Sequence, residues 1–233
     1  MERLSCAQCH LPCPLAGLPL HEARALEELI RSVSFLPKHV LFEQGDPHNG
    51  CYLLCEGVVM LFHRTSEGRR IVVGVVGPGD MVGVGSLLGQ ECHELSACAL
   101  TEVRAQHLSR AVCKRLVQEP SVLTARLLLV LARQVKILRR HARFVAAHAG
   151  VQERLAALLL ALGERFGRRV SPQGVCVELK LSYDLLGQMI DARRTTVNQV
   201  LSEWRERRWI ARESRKVLIL QEEALRELAK SLI

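Results

Sequence analysis

Residues 38–108 alternate between short apolar segments and turn residues. Segments such as HVLF, GCYLLC and RRIVVGVV are each followed by glycine or by a polar turn. Four glycines mark these turns at intervals of 12, 11 and 11 residues (57−45, 68−57, 79−68): Gly45, Gly57, Gly68 and Gly79. This even spacing is typical of an antiparallel β-sandwich or barrel. Residues 20–33, just before it, have apolar positions at helical spacing and predict a helix.

The pattern after Pro120 changes to that of one long helix. Residues 121–149 contain no glycine or proline, which allows about eight turns at 3.6 residues per turn. One apolar row advances by alternating fours and threes, as at a coiled-coil seam: Thr124, Leu128, Leu131, Val135, Leu138, Ala142 and Val145. A second row lies beside it: Leu123, Leu127, Val130, Ile137 and Phe144. We expect one row to pack on the chain's own barrel and residues 128–145 of the seam to form a dimer interface. A helix buried within one domain is the alternative.

The remainder of the chain predicts a series of short elements. Gly150 is a candidate hinge, and residues 151–167 follow as an amphipathic helix, then a turn and a brief strand. From Ser182 the pattern is helix, tight turn, helix. Residues 209–220 then predict a hairpin with a basic tip, and residues 221–233 a closing helix. Two short helices joined by a tight turn, followed by a hairpin, predict a winged helix-turn-helix.

The second helix of that pair starts near Arg193 and has two different faces. Val197 and Leu201 recur at core spacing, whereas five polar residues are expected to face outward: Arg193, Arg194, Thr195, Asn198 and Gln199. Arginine can hydrogen-bond guanine at two positions, and Asn or Gln can do the same with adenine. Thr196 is placed for a phosphate contact, and Arg215 lies at the basic tip of the hairpin. This pattern predicts insertion into the DNA major groove; a solvated amphipathic helix is the alternative.

Composition supports a polyanionic partner. The 233 residues carry a net charge of +8, and 48% of them are hydrophobic, which indicates a globular protein. Residues 181–216 hold eight basic and five acidic side chains, a net charge of +3. The sequence shows no phosphate-binding loop, nucleophile elbow or HExxH motif, so we expect no enzyme. It shows neither a leader nor an apolar run long enough for a bilayer, and we expect a cytoplasmic protein. A ligand-binding module without DNA is the rival class.

The order of barrel, long helix and winged helix-turn-helix resembles the cyclic-AMP receptor and fumarate–nitrate reduction (CRP/FNR) regulators. The motifs LFEQGD and GPGDMVG, with Gly57, Gly68 and Leu87–Leu88, lie where that family has its turns, and RRTTVNQVL resembles its Arg-Glu-Thr-Val segment. The resemblance covers essentially the whole chain. It implies an α+β fold: an antiparallel β-roll (jelly-roll) sensor domain like cyclic-nucleotide-binding domains over residues 1–110, a dimerisation helix over 111–149, and a winged helix-turn-helix over 150–233.

The family resemblance also implies partners. A homodimer would bind double-stranded DNA at a palindromic site, with half-sites about 34 Å apart, and would contact RNA polymerase. The base-reading glutamate of the family is replaced by Thr195, so the family's usual half-site is not expected.

Cyclic AMP is not expected to bind in the usual way. Relatives of the cyclic-AMP receptor hold the nucleotide phosphate with a glutamate and an arginine, whose places are taken here by Val84 and Leu95; of the positions compared, only Ser96 matches. A buried phosphate between two apolar side chains would lack its charge partner, which is costly.

The cysteines suggest a different signal. The fumarate–nitrate branch ligates an oxygen-labile [4Fe–4S] cluster with an N-terminal cysteine group and one cysteine in the barrel, four thiolates in all. The resemblance implies Cys6, Cys9 and Cys13 as ligands, with Cys98 or Cys92 as the fourth, although the second gap here is shorter than in that branch. The sequence thus predicts a regulator controlled by a redox or gas signal.

Other interpretations of the same residues stay open. The N-terminal cysteines and His10 are candidate zinc ligands, or free thiols that form a disulfide, or residues without a metal role. Haem, with His10, His93 or Cys92 as axial ligands, and a small molecule in the β-roll are further alternatives. Four other cysteines lie in apolar contexts and are interpreted as packed residues: Cys51, Cys55, Cys113 and Cys176.

Overall fold

The computed structural model describes residues 14, 21, 30–119, 121–146, 149–171 and 174–232, and among these it leaves out the side chains at 88, 137 and 140–146. The chain forms two compact units, Met1–Leu138 and Arg139–Ile233. No helix among the described residues is long and apolar enough to cross a membrane.

The first unit contains a roll of two four-stranded antiparallel sheets, as predicted. The sheets have strand orders β1-β8-β3-β6 and β2-β7-β4-β5. Their strands are β1 (Ile30–Phe35), β2 (Val40–Phe42), β3 (Gly50–Glu56), β4 (Val59–Arg64), β5 (Arg70–Val76), β6 (Met81–Val82), β7 (Ser96–Ala99) and β8 (Val103–Ser109). A 3₁₀ helix (Val84–Leu88) lies between β6 and β7. Gly57 illustrates the turns: its φ is +81°, and a Cβ would lie 2.0 Å from the carbonyl oxygen of Glu102.

The prediction of a helix over residues 20–33 is wrong for residues 30–33, which form part of a strand. Ile30 begins strand β1, which pairs with β8 from Ile30↔Leu108 to Phe35↔Val103. Pairing with β8 satisfies the backbone of this segment in an extended form. Ile30 is also buried in what we call the first core cluster, and this tertiary packing overrides its helical spacing. The other buried members of that cluster are Cys51, Leu53, Met81, Leu108, Val112, Cys113, Leu116, Leu123, Leu127 and Val130.

Two helices complete the first unit's core. Helix α1 (Arg110–Gln118) follows β8 directly, and helix α2 (Val122–Ala146) is the long helix that the sequence predicts. Leu123, Leu127 and Val130 of α2 are buried, as expected for the row that faces the chain's own barrel. Gln134 fixes the register of α2: its Oε1 accepts from Met81 N at 3.1 Å, and its Nε2 donates to Met81 O at 2.6 Å.

The second unit is a helical domain with a small sheet. Helices α3 (Val151–Phe166), α4 (Tyr183–Ile190), α5 (Arg194–Glu206) and α6 (Glu222–Leu228) accompany strands β9 (Gly167–Ser171), β10 (Gly174–Val177), β11 (Ile210–Glu213) and β12 (Lys216–Ile219), in the order β11-β12-β10-β9. The predicted helix pair and hairpin are present. Strand β9 escapes prediction because all five of its residues are exposed, so it carries no apolar alternation.

Candidate nucleic-acid interface and sensor region

Helix α5 separates an apolar face from a polar one. Val197, Leu201 and Trp204 have no exposed surface, and they anchor the helix in the second unit. The opposite face presents the residues that the sequence singled out: Arg193, Arg194, Thr195, Asn198 and Gln199 are exposed, and Thr196 is half-buried. The N-cap residue Arg193 supplies no side-chain hydrogen bond, so the first N–H groups of α5 can meet a phosphate.

The tight turn between α4 and α5 depends on backbone conformation. Asp191 ends α4 with a φ of +50°, and Ala192 N donates to Gly187 O at 2.9 Å. A Cβ on Gly187 would lie 2.5 Å from the carbonyl oxygen of Ala192, so any larger residue there would push the turn open. At the other end of α4, Ser182 Oγ accepts from Leu185 N at 3.1 Å.

The hairpin of β11 and β12 projects a basic tip. Its two turn residues, Ser214 and Arg215, have φ values of +49° and +70°, which suits the twist of a two-residue hairpin. Arg215 is exposed, while its backbone oxygen accepts from Leu181 N at 2.9 Å. The tip is therefore held to the segment that leads into α4, and we call β11, β12 and this tip the wing.

Arg212 is a site residue that sequence reasoning missed. Its Nη2 donates to Leu181 O at 2.6 Å and to Arg215 O at 3.4 Å, and its guanidinium carbon lies 4.5 Å from the ring centroid of Tyr183. Burial lowers the pKa of this guanidinium, and its Nη1 is buried without a hydrogen-bond partner among the described residues. The basic run RESRK was the one signal for this residue. That run could not show which of its arginines holds the wing to the segment before α4.

These residues surround one basic cavity. Its volume is about 490 Å³, and three arginines and one carboxylate contribute to its lining: Ser182, Tyr183, Asp184, Arg194, Arg212 and Arg215. Asp184 Oδ2 lies 3.7 Å from Arg194 Nη1, an exposed ion pair of small energetic value. Lys216 does not add to this cavity's charge, because its Nζ lies 2.5 Å from Glu178 Oε2 and holds the pKa of that carboxyl below its usual range.

The six residues predicted for a dimer interface divide into three groups. Leu128 and Val135 are exposed, at 62% and 53% of their surface, and Leu129 beside them is exposed at 72%. Leu131 and Leu138 are half-buried. Leu131 packs against the first core cluster and Leu138 against a second core cluster, so both residues also belong to the core of the first unit. The second core cluster consists of Phe42, Tyr52, Leu54, Val59, Leu61, Val76, Val82, Ala97, Ala99, Val103 and Ala105. The side chains of Ala142 and Val145 lie outside the described residues.

Val84 and Leu95, the positions that the family resemblance compares with the phosphate-binding glutamate and arginine, are packed apolar side chains. Val84, at the start of the 3₁₀ helix, packs against the first core cluster, and Leu95 packs against the second. Ser96, the matching position, is buried, and its Oγ already accepts from Gln44 N at 3.0 Å. Neither Val84 nor Leu95 carries a charge that could pair with a phosphate.

Cys98 and Cys92, the two candidates for the fourth cluster ligand, have different environments. Cys98 is buried in β7, and burial raises the pKa of its thiol, whereas a cluster requires thiolates. Cys92, the other candidate, is exposed. Cys6, Cys9 and Cys13, like His10, lie outside the described residues. Within the part of the chain that is described, no three His, Cys, Asp or Glu side chains are grouped as a metal site.

Two buried histidines, His48 and His93, contact each other in the first unit. The rings of His93 and Phe42 stack at 3.8 Å, and the His48 ring centroid lies 3.8 Å from that of His93. Burial lowers the pKa of His93 to about 4 and also lowers that of His48. The imidazole of His93 is therefore neutral near pH 7.

Comparison with known proteins supports both halves of this description. A cyclic nucleotide-binding domain model matches residues 32–119, and a Crp-like helix-turn-helix domain model matches residues 153–228. A CRP-like cAMP-activated global transcriptional regulator of Mycobacterium tuberculosis is 32% identical over 212 residues, 88% of this chain and 91% of that protein. The nitrogen fixation regulation protein FixK of Rhizobium meliloti is 32% identical, over 84% of this chain and 85% of its own length.

Solved structures show the same likeness. A crystal structure of a CRP/FNR-family transcriptional regulator from Thermus thermophilus superposes with a TM-score of 0.70 at 28% identity, covering 87% of this chain and all (100%) of that one. A second regulator from the same organism, described as of the CRP family, gives a TM-score of 0.73 at 25% identity over 85% of this chain and 96% of its own.

Proposed function

The chain belongs to the CRP/FNR family of DNA-binding transcriptional regulators and is not an enzyme; from that premise we propose that it is a cytoplasmic homodimer that reads a palindromic DNA site through α5 under a redox or gas signal. The observation that carries the DNA-reading part is the two-faced helix α5, with a buried apolar side and an outward row of hydrogen-bonding side chains.

Each residue of the interface has a role that follows from its position. Arg194 is in the first turn of α5, exposed, and able to form two hydrogen bonds with guanine, while Asn198 and Gln199 one turn later can bond adenine. Each good base contact contributes about 1–3 kcal/mol of discrimination. Thr195, in place of the family's glutamate, offers a single hydroxyl, so the preferred half-site differs from the family's usual one.

Phosphate contacts come from both sides of the basic cavity. Arg193 and Thr196 belong to the N-terminal turn of α5, and Arg215 belongs to the wing tip. Arg212 is a positioning residue: its hydrogen bonds to Leu181 O and Arg215 O hold the wing tip where Arg215 can reach the DNA backbone. Such contacts fix orientation without reading sequence and make the affinity depend on salt.

Dimerisation is proposed to use the exposed apolar face of α2. Leu128, Leu129 and Val135 present large apolar side chains to solvent on a helix whose other side is already packed. A second copy of the helix would cover them, and a twofold dimer would then place two copies of α5 on two half-sites. Contact with RNA polymerase is part of the same proposal.

The signal is proposed to be redox or gas chemistry and not cyclic AMP. The apolar pair Val84 and Leu95 argues against nucleotide control, even though one relative is named as cAMP-activated. The N-terminal cysteines Cys6, Cys9 and Cys13 are the candidate sensor. A [4Fe–4S] cluster held by them, with Cys98 or Cys92 as the fourth ligand, would supply sensitivity to oxygen. Control requires that the signal stabilise one of two states of the dimer more than the other.

Two measurements on the full chain test this function. Selection of duplexes from a random pool by anaerobically purified protein should enrich a palindrome, and a random enrichment would contradict the DNA-reading role. Iron, labile sulfide and zinc per chain should be measured on the same sample before and after air. About four irons and four sulfides with a visible band that bleaches in air are expected for the cluster. Stoichiometric zinc, or no metal and no sulfide, would overturn it.

A further inference from the structure

Two buried thiols contact each other within the first core cluster. Cys51 lies on β3 and Cys113 on α1, both have no exposed surface, and their Sγ atoms are 3.5 Å apart. The pair left no trace in the sequence pattern because the two residues are 62 positions apart (113−51). Neither belongs to the DNA interface or to the N-terminal cysteine group.

The surroundings of the pair distinguish the two sulfurs. Cys113 is the fourth residue of α1, just after the N-cap Ser109, where the helix dipole favours negative charge. The contact between the two thiols, in which either sulfur can donate, lowers the pKa of Cys113 and raises that of Cys51, and the Cys113 thiol can also donate to Leu108 O at 3.5 Å. Cys113 is thus the sulfur that ionises first, and Cys51 is the thiol held next to it.

We propose that Cys51 and Cys113 form a redox-active dithiol, which hydrogen peroxide converts into an intramolecular disulfide. The Cys113 thiolate sulfur attacks one peroxide oxygen, the O–O bond breaks, and the departing hydroxide takes a proton to become water. Cys113 is then a sulfenic acid. The Cys51 sulfur attacks it, the S–O bond breaks, the S–S bond forms, and the oxygen leaves as a second water with the Cys51 proton. Two thiols are oxidised and one peroxide is reduced to two waters.

Disulfide formation would move α1. An S–S bond is about 2.0 Å long, so the two sulfurs must approach by about 1.5 Å. Helix α1 and the first turn of α2 share the cluster that contains both cysteines, through Leu116 and Leu123. Thr124 Oγ1 also donates to Leu116 O at 3.0 Å. A shift of α1 therefore reaches the start of α2, and its effect on DNA affinity rests on the function proposed above, whereas the disulfide itself does not.

Peptide mapping tests the bond. Reduced full-length protein is treated with hydrogen peroxide, alkylated under denaturing conditions, and digested with trypsin without reductant. We expect residues 111–114, which contain Cys113, to be linked to residues 39–64, which contain Cys51 and Cys55. The link should vanish in Cys51→Ala and persist in the matched control Cys55→Ala. Recovery of Cys113 fully alkylated after peroxide, or persistence of the link in Cys51→Ala, would overturn the proposed pair.

DNA binding tests the consequence, in a Cys6→Ala/Cys9→Ala/Cys13→Ala background that removes the N-terminal group. The probe is a duplex selected from a random pool by the reduced protein. Peroxide should change its Kd by about fivefold or more, since allosteric couplings commonly have this size. Reductant should restore the Kd, and Cys113→Ala should abolish the response; if that variant does not fold, Cys51→Ala removes the same bond.

The outcomes separate this inference from the proposed function. A mapped disulfide with an unchanged Kd would overturn the switch while leaving DNA reading intact. Reduced protein that selects no duplex would contradict the proposed function, and the peptide map would still decide whether the dithiol forms its bond.

Discussion

The two units of this chain place their polar and titratable side chains differently, on the surface in the second unit and in the interior in the first. In the second unit, the residues with specific hydrogen-bonding capacity lie on the surface of α5, and the buried residues of that helix only anchor it. In the first unit, Val84 and Leu95 pack against the two core clusters, and two thiols and two imidazoles are buried.

This difference explains why membership of the family constrains the DNA-reading role of the second unit more than the ligand of the first. A reading helix needs a polar outward face, and that face can be recognised in the sequence because it interrupts an apolar period. A ligand site inside a barrel depends on one or two side chains that the fold does not require. The fold therefore persists when those side chains change, while the ligand does not.

The largest effect on stability should come from truncating a side chain on the buried face of α5, in comparison with one on its exposed face. Trp204→Ala removes a fully buried side chain and should lower the free energy of unfolding by about 3–5 kcal/mol. Asn198→Ala, on the exposed face of the same helix, should change it by less than about 0.5 kcal/mol yet weaken DNA binding. Urea unfolding and DNA titration of both variants check this. A stability loss in Asn198→Ala as large as that of Trp204→Ala would show that the two faces are not separable.

Acid should destabilise the barrel through its buried histidines. The pKa of His93 is about 4 in the folded state against an ordinary value of 6.5, so the unfolded chain binds more protons below pH 6.5. Stability is therefore retained above pH 6.5 and lost as the pH falls towards 4, by up to about 3 kcal/mol at about 1.36 kcal/mol per pKa unit. His48 and His107 shift in the same direction.

The control for this acid effect is His93→Leu. Unfolding followed by far-UV circular dichroism at about pH 7.5 and about pH 5 should show a smaller pH dependence in the variant. Both tryptophans, Trp204 and Trp209, lie in the second unit, so their fluorescence reports on that unit separately. An equal pH dependence in wild type and variant would contradict the role of His93.

Restoring charge should restore the nucleotide site. Val84→Glu with Leu95→Arg should gain affinity for cyclic AMP by about 100-fold over wild type, because a buried phosphate requires charge-assisted hydrogen bonds. Isothermal titration calorimetry measures it, with Val84→Gln/Leu95→Gln as the uncharged control of similar size. Tight binding of cyclic AMP by the wild type would show that other residues hold the phosphate.

The smallest effect is expected at the wing tip. Arg215→Ala should weaken binding to selected and scrambled duplexes alike, and should reduce the slope of log K against log salt by about one, because it removes one phosphate contact. Arg212→Gln should reproduce part of this change by freeing the tip. A loss confined to the selected duplex would mean that Arg215 reads a base instead.

Sequence periodicity was sufficient for the elements that carry a repeating apolar pattern. The glycine-spaced strands, the long helix α2 and the buried face of α5 follow from it. It was insufficient where the decisive contact joins distant residues: Ile30 pairs with Leu108, Arg212 folds onto Leu181, and Cys51 meets Cys113. Strand β9 had no signal because it is exposed throughout.

The Kd of Arg194→Ala for a duplex selected by the wild type tests whether α5 reads the DNA sequence. Arg226→Ala is its matched control, an exposed arginine on α6, and sedimentation monitors the dimer in each sample. We expect Arg194→Ala to bind roughly tenfold or more weakly and to lose its preference over a scrambled duplex, with an unchanged dimer. The Kd of Arg226→Ala should be unchanged. Wild-type affinity and selectivity in Arg194→Ala would contradict the assignment of α5 as the reading helix.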